Sequence, residues 1–155
     1  MYSILLLSFL LGVSIGSFLN VVIYRTPRKM SVTGRSACPN CGHKLTTVEL
    51  IPVASYLMQG RKCKSCSQKI SPRYMGVELL TGVLFTIATY TQLNNLNWIV
   101  LLSQYIIIAT LITMSFIDYD TMEIPNEIHF IIIGIAMVLY IIGIQNNFLV
   151  NVISS

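Results

Sequence analysis

The chain has 155 residues, 54% hydrophobic and only 10% charged, with a formal net charge of +4. Soluble domains usually carry about 25% charged residues, so this composition excludes an ordinary soluble globular protein. The length fits one membrane domain with one small inserted module and excludes two large soluble domains.

Four apolar stretches are candidate membrane spans. In chain order they cover about residues 3–23, 74–91, 98–117 and 128–144. A bilayer core takes roughly 20 helical residues. The first and third stretches meet that length, and the second and fourth are shorter. Met1-Tyr2-Ser3 carries no charged side chain, the first apolar run is too long for a signal-peptide core, and no small-x-small site follows it. It reads as a retained anchor. The expected fold is an all-α integral membrane protein of roughly four transmembrane helices with a small zinc-ribbon-like cytoplasmic insertion. Residues 1–23 form the first helix, 24–73 the inserted module and 74–155 a membrane domain with the other three helices.

The orientation follows from charge. All ten Lys and Arg lie between Arg25 and Arg73, with Glu49 as the one acid among them, a formal +9. Basic loops stay in the cytoplasm. The module is therefore expected inside and the N-terminus outside, with the turn 92–97 outside, the connection 118–127 inside and the C-terminus outside. Topology accounts for the basic loop without a nucleic-acid partner, the competing reading of such a charge.

The module holds Cys38-Pro39-Asn40-Cys41 and Cys63-Lys64-Ser65-Cys66, two C-x-x-C pairs separated by 21 residues. Two thiolates so spaced can grip one metal from a tight turn, and two such turns complete a tetrahedral sulfur shell. A reducing cytoplasm disfavours disulfides as the alternative. Four cysteines leave no open coordination position, so Cys38, Cys41, Cys63 and Cys66 are expected to hold a structural zinc. A module of this size buries too little core to fold alone, and the metal supplies stability. Gly42 can provide a positive φ. Lys44, Lys62 and Lys64 are expected to favour thiolates. His43 is expected in solvent, not as a ligand.

Four of the six acids fall between Asp118 and Glu127, just after the third apolar stretch. A carboxylate at the membrane edge costs less than one at its centre. An aspartic protease needs two carboxyls around an activated water, one protonated and one ionised. The residues alone leave three readings open. Asp118 is a catalytic carboxylate; or these are solvated acids, with Asn126 capping the fourth helix; or Asp118, Asp120 and Glu123 hold a divalent cation. Three further positions stand out within the apolar stretches. Gly12 and Gly16 form a G-x-x-x-G suited to close helix packing, and Asn20 is expected to bond across helices. Glu78 is an intramembrane acid expected to pair with Arg73, to reach the interface, or to serve a functional site.

Several blocks, in order, resemble the type IV prepilin leader peptidase family. They are Gly16-Ser17-Phe18-Leu19-Asn20 through Arg25 with Pro27, Arg35-Ser36 with the Cys38/Cys41 pair, Leu50-Ile51-Pro52, Ser55-Tyr56-Leu57, Gly60-Arg61 before Cys63 and Cys66, Ile70-Ser71-Pro72-Arg73-Tyr74, Val77-Glu78-Leu79-Leu80-Thr81-Gly82, and Ile117-Asp118 with Ile124-Pro125-Asn126. Met75 stands where a Pro is usual. The resemblance implies a membrane aspartic endopeptidase of the bacterial plasma membrane. It would remove the basic leader of type IV prepilins or pseudopilins at the cytoplasmic face, in many members also methylating the new N-terminus with S-adenosylmethionine. Asp118 would be the first catalytic carboxylate. The family's second aspartate lies in a later Gly-x-Gly-Asp, whereas here no Asp or Glu follows Glu127. The expectation is a C-terminally truncated member, inactive alone unless a partner subunit supplies the missing acid. No glycine-rich cradle for S-adenosylmethionine is visible. The alternatives are a non-catalytic zinc-stapled membrane module that binds prepilins or pilus-assembly proteins, and a methyltransferase-only remnant.

Overall fold

A computed structural model describes residues 2–94 and 97–121, and positions 134, 137–138 and 141–143 of the C-terminal part. Four α-helices account for most of the described residues: α1, Tyr2–Arg25; α2, Ala54–Met58; α3, Pro72–Thr91; and α4, Trp98–Thr121. Strand pairing among the described residues is confined to two isolated bridges in the module.

Helices α1 and α4 are each long and apolar enough to cross a membrane. α3 has 20 residues and packs as a full partner, but Arg73, Glu78 and four threonines make it more polar. The fourth expected span, 128–144, lies outside the described residues apart from isolated positions. α1 and α3 begin and end within two residues of the expected spans 3–23 and 74–91. α4 runs four residues beyond the expected end at 117 and carries Asp118 and Asp120 in its last turn. Hydropathy marks where lipid stops, whereas helical hydrogen bonding continues past that edge.

The ends of the helices follow local chemistry. Ser71 caps α3, its hydroxyl accepting from the Arg73 N–H at 3.3 Å, with Pro72 in the first helical turn. Asn97 caps α4, its side-chain oxygen accepting from the N–H groups of Ile99 (3.0 Å) and Val100 (3.3 Å). Within the helices, hydroxyls return to the carbonyl one turn back, as Thr81 does to Val77 at 2.7 Å, which satisfies them in an apolar setting.

α1 packs mainly along α3, and α4 leans on both. Buried Ser8, Gly12, Gly16, Leu19, Asn20 and Ile23 recur at helical spacing and form the contact stripe of α1. Leu19, Ile23, Val77, Ile112 and Ile117 make the apolar core, joined by Phe116 and Ile108. The glycine expectation is met. A Cβ on Gly12 would lie 2.7 Å from the Gly82 Cα, and one on Gly16 2.8 Å from the Glu78 Cα. The Asn20 amide donates to the Tyr74 carbonyl at 2.9 Å, the expected bond across helices. Farther along, Ser8, Thr89 and Tyr105 form a hydroxyl triangle with sides of 2.7, 2.6 and 3.1 Å that joins the three long helices.

The module starts where α1 ends. The Arg25 guanidinium donates to the carbonyls of Ser31 (2.9 Å), Thr33 (3.0 Å) and Arg35 (3.2 Å), closing the chain back onto the helix end.

Candidate metal centre and its junction with the helices

The two C-x-x-C turns are built alike. In the first, the Cys38 N–H donates to the His43 carbonyl and the Gly42 N–H to the Cys38 carbonyl, both at 2.9 Å; Ala37 and Lys44 bridge at its base. In the second, the Cys63 N–H donates to the Gln68 carbonyl and the Ser67 N–H to the Cys63 carbonyl, again at 2.9 Å, with Lys62 and Lys69 bridging. The residue after the second cysteine takes a positive φ in each turn, +70° at Gly42 and +58° at Ser67.

The turns face each other. Cys38 and Cys66 bring their Sγ atoms to 3.9 Å, Cys41 and Cys63 to 4.0 Å, and all four sulfurs lie within 4.8 Å of one another. A tetrahedral zinc with Zn–S bonds near 2.3 Å has sulfurs about 3.8 Å apart, so the described geometry is close to that shell. The four cysteines could hold a metal ion.

The turns prepare the thiolates. The N–H groups of Asn40 and then Cys41 lower the Cys38 thiol to about 7. Cys41 goes the other way, to about 11: the His43 N–H lowers it, but desolvation and the sulfurs of Cys66, Cys38 and Cys63 outweigh that pull. Four sulfurs this close cannot all carry charge without a cation between them. Turn amides likewise hold the Cys63 thiol below its ordinary value, the Cys66 N–H contributing most.

His43 is not simply solvated. It is half-buried, with Nε2 3.4 Å from the Glu49 carboxylate. Glu49 is buried, and the same oxygen accepts from the Thr46 N–H at 2.8 Å and its hydroxyl at 2.9 Å. These bonds hold the Glu49 carboxyl below its ordinary value, the Thr46 N–H contributing most. His43, Thr46, Glu49, Lys64 and Ser65 line an open cavity of about 240 Å³ beside the metal turns. No glycine-rich turn lines it, so no residue is assigned to S-adenosylmethionine.

The junction between module and helices corrects the expected pairing of Glu78. Arg73 does not reach it; its guanidinium binds the Asp120 carboxylate at the end of α4 and lies over the Phe116 ring. Arg73 and Glu78 are five residues apart on one helix, about 140° around its axis, and face different neighbours. Glu78 is buried and accepts the Val53 N–H at 2.7 Å. Val53 has φ +60° and ψ −52°, strained for a β-branched residue. Asp118 is exposed on α4, one residue beyond buried Ile117. Glu123 lies outside the described residues, so the three-acid cation reading does too.

A module whose four cysteines could hold a metal ion, hydrogen-bonded into a bundle with two helices long and apolar enough to cross a membrane, defines the class: a helical protein with a cysteine-rich insertion after its first helix. The family profile of the bacterial peptidase A24 N-terminal domain matches residues 10–92, and the chain belongs to that family. It is 42% identical over 119 residues to the prepilin leader peptidase/N-methyltransferase of Myxococcus xanthus, covering 76% of this chain and 34% of that protein. It is 35% identical over 162 residues to the protein of the same name from Neisseria gonorrhoeae, covering 88% and 56%. The Bacillus subtilis relative, again with that name, is 39% identical over 121 residues, covering 77% and 48%. The chain thus spans about a third to just over half the length of these relatives. No solved structure matches it.

Proposed function

We propose that this chain carries the metal-binding and first-aspartate portion of a prepilin leader peptidase, a membrane aspartic endopeptidase that cuts type IV prepilin or pseudopilin leaders at the cytoplasmic face. The observation that carries this reading is the similarity to several relatives named prepilin leader peptidase/N-methyltransferase over 76% to 88% of the chain. Cys38, Cys41, Cys63 and Cys66 would hold a structural zinc, whose chemistry is to lock the two turns together. Asp118, at the end of α4, would supply one carboxyl of the catalytic pair, ionised to take a proton from water or protonated to donate one. In this reading Asp118 needs a second carboxyl beside it, and the 155 residues tested alone are expected not to cleave. The exposed position of Asp118 is compatible with a partner surface closing over it. The relatives' names also bring methylation by S-adenosylmethionine into the proposal, without residues.

The test is cleavage of a prepilin in membranes by the chain alone, and by the chain joined to the missing part of a relative, each beside Asp118→Asn. The expected result is no cleavage alone, cleavage when completed, and its loss with Asp118→Asn but not with Asp120→Asn. Cleavage by the completed protein that survives Asp118→Asn would overturn the assignment. The alternative, a non-catalytic zinc-stapled module that captures prepilins, predicts binding by the chain alone that weakens with Asp118→Asn.

A further inference from the structure

Residues 48–58 lie between the two metal turns and contribute no ligand. The segment is a short 3-10 turn, the strained Val53 and the five-residue α2. Its depth is fixed by one bond, from the Val53 N–H to Glu78. Glu78 lies about 8 Å along α3 from Arg73, and Gly16, which meets the Glu78 backbone, lies about 13 Å along α1 from Arg25. Arg25 and Arg73, with its partner Asp120, mark the charged end of the bundle. Helical side chains lean toward the N-terminus, so the Glu78 carboxylate, and Val53 with it, lies between the Glu78 backbone and the level of Arg73, next to the charged end of the bundle.

What it carries there is apolar and uncovered. Leu50, Ile51, Leu57 and Met58 are exposed, Leu57 at 58% and Met58 at 76%, while Tyr56 between them is buried. Basic residues follow at once, exposed Arg61, Lys62 and Lys64. Exposed apolar side chains followed at once by a basic cluster, held beside the charged end of the bundle, are the pattern of an element lying in a lipid interface. The backbone bend such an element needs is costly within lipid unless its polar groups are satisfied by protein, and Glu78 satisfies the Val53 N–H at the bend.

We propose that residues 50–58 form an interfacial element that seats the metal module on the bilayer. Leu50, Ile51, Leu57 and Met58 enter the boundary between headgroups and acyl chains, and Arg61, Lys62 and Lys64 meet anionic headgroups. Glu78 is the tether that sets the depth. A basic rim above apolar side chains matches the cytoplasmic leaflet, where anionic lipids attract Lys and Arg. This holds whether or not the chain cuts prepilins.

The chain has one tryptophan, so Trp98→Phe leaves a dark background for a single Leu57→Trp. The full chain is placed in phosphatidylglycerol/phosphatidylcholine vesicles with acyl chains brominated near the headgroups, its metal content checked. Leu57→Trp is expected to lose most of its emission relative to unbrominated vesicles, while Lys44→Trp in the first metal turn keeps its own. Equal quenching at the two positions would overturn the proposal. Unquenched emission at position 57 would also overturn it; a blue shift would then show that a second copy or another part of the chain covers the segment, and no shift would show water. With metal retained, Glu78→Leu is expected to reduce the quenching at position 57 and Glu78→Gln to preserve it. Unchanged quenching in Glu78→Leu would overturn the tether.

Discussion

Gly12 of α1 and Gly82 of α3 sit face to face, with room for no side-chain carbon between them: a Cβ on Gly82 would lie 2.6 Å from a Val13 methyl. Van der Waals packing drives helix association in lipid, and close approach of backbones is its source. Gly12→Leu and Gly82→Leu are each expected to force α1 and α3 apart and destabilise the bundle by about 1–3 kcal/mol. Thermal unfolding in detergent, followed by circular dichroism, checks this. A melting temperature equal to the parent's would show that the two helices do not pack as described.

The hydroxyl triangle is expected to contribute modestly. Tyr105→Phe removes one corner and leaves Thr89 bonded to Ser8 at 2.7 Å. Thr89→Val removes another and leaves Tyr105 to bond Ser8 at 3.1 Å. Because a partner remains in each case, each change should cost about 0.6–1.7 kcal/mol, the range for hydrogen bonds between membrane helices. Unfolding in mixed micelles measures it; because Tyr105→Phe keeps the ring stacked on Phe85, its loss reports the hydroxyl alone.

The two metal turns differ at one matched position. Gly42 adopts a positive φ freely, whereas Ser67 adopts it against its side chain. Ser67→Gly is expected to strengthen metal retention, with a gain of up to about 1 kcal/mol, and Gly42→Ala to weaken it by a similar amount. Competition with a chromogenic chelator reads both. Cys63→Ser should lose the metal outright and leave the module open to protease.

Glu49 gives a pH prediction whose sign follows from its lowered carboxyl. The folded value lies below the ordinary 4.5, so the stabilisation it supplies is present above that value and is lost as pH falls through the folded one. Glu49→Gln is therefore expected to make the module more sensitive to protease than the parent at neutral pH. The difference should close as the solution is acidified, although both then also lose metal as thiolates protonate. A difference that widens in acid would contradict this.

Much of this was legible in the sequence for reasons that can be named. Helices α1 and α4 announce themselves as long apolar runs, and α3 as a shorter run whose start is marked by Ser71 and Pro72. The metal turns do so because C-x-x-C fixes local geometry whatever surrounds it. Glu78 was visible as an unusual acid, but its partner was not, since the Val53 N–H is a backbone group 25 residues away, presented by a strained turn. Proximity along the chain offers Arg73 as one of three readings for Glu78, and the turn of the helix carries it to Asp120 instead. Asp118 is legible by motif alone. Among the described residues no contact singles Asp118 out, whereas Asp120 two residues on pairs with Arg73.

Arg25 does two jobs with one group. Its charge is one of the ten basic charges expected by the positive-inside rule to orient the chain, yet its guanidinium is spent on three carbonyls of the loop that follows. Arg25→Lys separates the two. A lysine keeps the charge and the orientation, but its single ammonium lacks the planar fork that spans Ser31, Thr33 and Arg35. The insertion signal and the fastening of the loop are therefore independently mutable properties of one position, and a chain correctly threaded through the membrane can still carry a metal module that is poorly hinged to it.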